Sequence, residues 1–215
     1  MMRAVAPADP LEELDRIGYP DQDPDDDAKA IAAEMRSMGD DRRNAILRAL
    51  PRWLADQSLA RQSIALELAV ELKDEDLMRA AVEEADRRGI YDEPYTDRSP
   101  AWLTYHLMLF PRITRFPTPE GMRYLENCAG EIAAARSPAR RELAARACLL
   151  LALSRSIDAQ EAVRSCLRTI RSWGDKVVMA SALALLSNRL ARHPDMVDLL
   201  EPSELEYARS FLPQR

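Results

Sequence analysis

Apolar residues recur every third or fourth position along this chain, and no comparable stretch alternates with period two. From Asp40, Ile46, Ala49, Leu50, Trp53 and Leu54 fall at i, i+3, i+4, i+7 and i+8. From Asp158, Ala159, Ala162, Val163, Cys166, Leu167 and Ile170 repeat that spacing, and from Asp175 so do Met179, Ala182, Leu183, Leu186 and Leu190. This spacing lines one face of an α-helix, whereas a half-buried strand needs strict alternation. The chain is therefore expected to be all-α. Its usage agrees, since Ala, Leu, Arg and Glu dominate and all favour helix.

The breaks between helices follow local chemistry. They are expected near Gly39-Asp40, Gln57-Ser58, Lys73-Asp74, Gly89 to Ser99, Pro111 to Pro119, Ser137-Pro138, Ser156 to Asp158, Gly174-Asp175 and His193-Pro194. Asp40, Ser99, Thr118, Ser137 and Ser203 are candidate N-caps. Pro100, Pro119, Pro138 and Pro202 suit a first helical turn, where a missing N–H costs nothing. Residues 1–25 read as an acidic, poorly ordered leader holding a short helix at Leu11–Ile17, and residues 26–215 as one helical domain. Trp102 to Phe110, Ala147 to Leu153 and Val177 to Leu186 are apolar nearly all round, which predicts a central buried layer.

Two helices and their turns make a unit of about 35–40 residues, the size of an α-solenoid hairpin. Lys73 to Val82 and Asp158 to Leu167 each run from an Asp-rich turn into an apolar stripe. They resemble the inter-helix turn and second helix of HEAT/ARM-like repeats. Pro51, inside an otherwise continuous amphipathic helix, is similar to the kink of the first helix in such repeats. The resemblance spans residues 40–192 and implies antiparallel hairpins stacked as a solenoid. An irregular helical bundle gives the same periodicity and stays open beside it.

Several chemistries lose their footing in the composition. Cys128, Cys148 and Cys166 stand about twenty residues apart without a C-x-x-C pair, so no zinc site is expected. Cys148 and Cys166 lie on apolar faces and read as small core residues. Asp23, Asp25, Asp27 and Glu34 match four ligand positions of a calcium loop, but Ala28 stands where the sharp turn needs glycine. Six glycines leave little for a phosphate cradle, and no serine elbow or dinucleotide fingerprint occurs. His106 sits among Trp102 and Tyr105 and reads as an interior histidine. No cofactor is expected, and the chain reads as a non-enzyme. The longest apolar run, Ala147 to Leu153, falls short of the roughly 20 residues that span a bilayer. A cytoplasmic protein without membrane contact is the expectation.

Charge is uneven. Residues 1–97 carry a net of -11 and residues 98–215 a net of +5, within an overall -6. An acidic first half favours a basic partner through association rate and specificity. The primary expectation is a protein–protein interaction module of scaffold, immunity-type or chaperone-like kind that binds a partner through a helical groove. Candidate contact residues are Tyr91, Asp92, Glu93 and Tyr95 in one irregular stretch, and Arg112, Arg115 and Phe116 in another. The alternative is a HEAT-like nucleic-acid-binding or DNA-repair protein. Arg164, Arg168 and Arg171 share one helix face, near Arg136, Arg140, Arg141 and Arg146, and offer a stripe for an anionic ligand.

Overall fold

The computed structural model describes residues 9–17, 24–91, 100–154, 159–190 and 194–211. The protein is all-helical, and the described residues contain no strand. Its packing divides it into two compact units, residues 1–88 with 115–118, and residues 89–114 with 119–215.

The first unit begins with α1 (Pro10–Ile17), the short helix expected within the leader. Asp9 caps it by accepting the Leu11 N–H, and Leu11 and Leu14 are buried. In α2 (Pro24–Ser37), Asp25, Asp26 and Asp27 occupy the first turn, where carboxylates complement the helix dipole. Ala28, Ile31, Ala32 and Met35 form its buried stripe against α5 (Leu59–Glu71). Pro51 does interrupt its helix: α3 (Asp40–Ala49) ends, Leu50 stays αR, and α4 (Pro51–Leu54) continues. Proline lacks the N–H that would extend the ladder.

α5 is the buried helix of this unit, with every side chain from Ile64 to Ala69 inside. Its N-cap Ser58 accepts the Arg61 N–H. The turn into α6 (Glu75–Arg88) places Lys73 at φ 52° and closes with the Asp74 N–H on Ala69 O. Asp74 then caps α6 through the Leu77 N–H at 2.8 Å. Buried Glu84 meets Arg87 and Arg88, and Arg88 donates onward to Leu54 O at 2.9 Å.

The second unit takes in α7 (Ala101–Arg115) as far as Thr114. The break expected from Pro111 begins later, because the helix passes through Pro111 to Arg115. There Thr114 Oγ1 donates to Pro111 O and Arg112 donates to Met108 O. Next come α8 (Pro119–Gly130), a 3-10 turn at Glu131–Ala133, and α9 (Pro138–Ser154). α10 (Ala159–Trp173), α11 (Lys176–Leu190), a 3-10 stretch at Pro194–Leu199 and α12 (Pro202–Ser210) complete it.

α9 packs on α8, α10 and α11, and ten of its side chains are buried. The core between α9, α10 and α11 joins Leu149, Val163, Leu167, Ile170, Leu183 and Leu186. Gly174 turns the chain from α10 to α11 at φ 64°, a region open to glycine. Asp175 then caps α11 through the Val177 and Val178 N–H groups. Ser203 is not the cap of α12. Glu201 holds that position, and its N–H is taken by Glu204 Oε2 at 2.9 Å.

Cys148 and Cys166 are not separate core thiols but a disulfide joining α9 to α10. Helices α9 and α10 run side by side, which brings together two residues 18 apart in sequence. The stretch Val177 to Leu186 is not buried all round, for Val177 is 58% exposed.

Candidate partner-binding groove

In the second unit the C-terminal half of α10, the first turns of α11, and α12 enclose an open groove of about 570 Å³. Ile170, Met179, Ala180 and Leu183 supply apolar lining, with Tyr207 beside them. Arg171, Asp175, Lys176 and Glu201 contribute the charged groups. Five large apolar side chains are exposed among the described residues, and Val177, Tyr207 and Phe211 are three of them. All three stand on or just after the groove helices, α11 and α12. Tyr207 and Phe211 meet edge to face, with ring centroids 5.1 Å apart.

Arg171 joins the groove walls. Its Nε donates to Glu204 Oε1 at 2.9 Å, and its terminal nitrogen donates to Glu204 Oε2 at 2.6 Å and to Leu199 O at 3.0 Å. One guanidinium thus ties α10 to both the 3-10 stretch and α12, a two-bond geometry that lysine cannot reproduce. Burial works against the Glu204 carboxylate, yet the Arg171 hydrogen bond and the Glu201 N–H hold its pKa below the ordinary value. Glu204 in turn raises the pKa of Arg171.

The arginine stripe read from spacing is therefore divided. Arg171 is committed to α12, and Arg164 pairs with Glu161 at 2.5 Å. Arg168 is exposed on the outer face of α10. Of the other arginines named beside it, Arg136 is exposed, and Arg140, Arg141 and Arg146 are half-buried. Arg141 lies 5.4 Å over the Trp173 ring and Arg146 donates to Ser181, which donates to Glu142.

Tyr91 is exposed, with its ring edge-on to Trp102 at 6.3 Å. Asp92, Glu93 and Tyr95 lie outside the described residues. Arg112 bonds back to its own helix. Arg115 forms ion pairs with Glu67 at 2.6 Å and Glu71 at 3.5 Å inside the first unit, and Phe116 is half-buried.

His106 is fully buried, with Nδ1 2.6 Å from Trp102 O and its ring among Trp102, Tyr105, Phe110 and Tyr124. That enclosure suits packing, since His106 has no exposed surface among the described residues. Asp25, Asp27 and Glu34 run along α2 instead of encircling a loop. Among the described residues no group of His, Cys, Asp or Glu is placed to hold a metal ion, and no helix is long and apolar enough to cross a membrane.

Sequence reasoning missed Val177, Met179, Glu201, Tyr207 and Phe211. A signal existed for two of them, because Tyr207 and Phe211 stand at i and i+4 beside a charged face. Comparison with protein-family models, with curated proteins and with solved structures returned no match.

Proposed function

We propose that this protein is a non-enzymatic interaction module whose second unit receives an apolar-anchored segment of a partner protein in the α10–α11–α12 groove. One observation carries the reading: an apolar-lined groove whose helices also bear Val177, Tyr207 and Phe211, all exposed. Large exposed apolar side chains gathered at a concavity mark interaction sites, and aromatic residues are the usual anchors. A helix laid in a groove is the mode that suits such a surface. The acidic first half of the sequence supports a basic partner, which it would draw in by faster association. Helices packed in neighbouring pairs within each unit, α5 with α6 and α9 with α10, support the HEAT-like reading of the fold. A nucleic-acid role draws less support, since Arg171 and Arg164 are committed to carboxylates of the chain itself.

Site-specific photo-crosslinking tests this. A benzophenone amino acid is placed at Tyr207 or Val177, and at exposed Glu83 on α6 as the control. A discrete adduct from both Tyr207 and Val177, absent at the control and lost on Met179→Glu, is the expected result. Identical adduct patterns at all three positions would refute the groove as the site.

A further inference from the structure

The Cys148–Cys166 disulfide links the second half of α9 to the middle of α10. Its two ends differ in access. Cys166 is 4% exposed and belongs to the apolar core, whereas Cys148 is half-buried at the core's margin. The third cysteine, Cys128, is buried on α8. One turn beyond Cys166, on the same face, Ile170 lines the groove, and the next residue is the Arg171 that holds α12. The disulfide therefore anchors the helix that forms one groove wall.

We propose that Cys148 is a thiol-exchange site for a dithiol, and that opening the bond there loosens α10 and with it the groove. Access selects the sulfur attacked in such exchange. A thiolate of the dithiol bonds to Cys148 Sγ. The Cys148–Cys166 bond breaks, and its electron pair leaves on Cys166 Sγ, which takes up a proton. The second thiolate of the dithiol then attacks its own partner sulfur in the mixed disulfide, and Cys148 departs and is protonated. Two electrons and two protons pass to the protein, and the dithiol becomes a disulfide.

Val163, Leu167 and Ile170 remain apolar after reduction, so α10 keeps its seat on the core. What is lost is the closure of an 18-residue loop. In the loop-entropy account this raises the opening equilibrium of the hairpin by about a hundredfold. Disulfides persist in oxidising compartments and open where thiols are plentiful. The groove would then be firm in the first setting and loose in the second. The functional consequence rests on the groove reading, while the exchange chemistry at Cys148 stands without it.

The test uses the full chain equilibrated in mixtures of reduced and oxidised dithiothreitol, trapped with iodoacetamide and mapped by mass spectrometry. Hydrogen exchange is followed on the same samples. The expected result is alkylation at Cys148 and Cys166 while the helical circular dichroism is retained. Amides of α10 should exchange about a hundredfold faster, with faster exchange also across residues 202–210. The double variant C148S/C166S should show the reduced pattern without dithiol. A bond that yields only when the helices melt would overturn the exchange site. Faster exchange in α10 with residues 202–210 unchanged would overturn the link to the groove. Neither readout involves a partner, so failure of the groove reading shows only in the crosslinking experiment.

Discussion

Replacing Arg171 by alanine isolates what the arginine stripe does. The side chain is 29% exposed and its partner Glu204 11%, so the pair lies between a surface and an interior ion pair. At about 4 Å and an effective dielectric constant of about 20, two unit charges attract by about 4 kcal/mol before desolvation is counted. Removing one partner of a fully buried pair costs about 3–5 kcal/mol, whereas an exposed pair is worth about 0–1 kcal/mol. Arg171 also loses its bond to Leu199 O, worth about 1 kcal/mol net. With nearly a third of the Arg171 side chain in solvent, the whole change should cost about 2 kcal/mol.

Urea denaturation of the full chain, followed by far-UV circular dichroism, reads this directly, with Arg168→Ala as the exposed control. A double-mutant cycle with Glu204→Ala should return a coupling of about 1–2 kcal/mol. The pH dependence adds a sign. The Glu204 pKa is lowered in the folded protein, so its stabilisation is full above the ordinary carboxylate range. That stabilisation is lost as pH falls through the lowered value. The stability difference between the native protein and Glu204→Gln should accordingly shrink in acid. If Arg171→Ala and Arg168→Ala cost the same, within about 0.5 kcal/mol, Arg171 is not the tie that joins α10 to α12.

Three further outcomes are expected. Leu149→Ala, at a fully buried α9 position, should cost about 3 kcal/mol by the same denaturation measurement, because it leaves a cavity in the second unit's core. Arg115→Ala should destabilise the first unit by about 1–2 kcal/mol, and Glu67→Gln by less, since the first change strips a buried carboxylate of its guanidinium. Hydrogen exchange of α5 amides would show it. Gly89→Ala should cost about 1–2 kcal/mol in thermal melts, since φ is 69° and the new methyl would meet Tyr91 Oη at 3.0 Å.

Much of the helical architecture was legible in the chain, because helix formation is governed by residues three and four apart. The stripes through Ile46 and Val163, the Pro51 interruption, and the turns at Lys73-Asp74 and Gly174-Asp175 all rest on neighbours in sequence. Errors arose where a local cue was overridden. Pro111 reads as a stop but is carried within α7, and α5, which was not among the helices expected to be central, is buried from Ile64 to Ala69. Glu67 is tolerated inside because Arg115, nearly fifty residues away, arrives beside it.

The candidate site was far less legible. Arg164, Arg168 and Arg171 do share a helix, as spacing requires, but only the return of α12 onto α10 and α11 assigns Arg171 to Glu204 and leaves Arg168 outside. The packing of α9 on α10 brings Cys148 to Cys166, and that of α12 on α11 sets Tyr207 in the groove that Met179 also lines. Periodicity along one helix determines which residues share a face, because the backbone repeats every 3.6 residues. What that face meets depends on which distant segment buries the most apolar surface against it, and that choice is made by the folded chain as a whole.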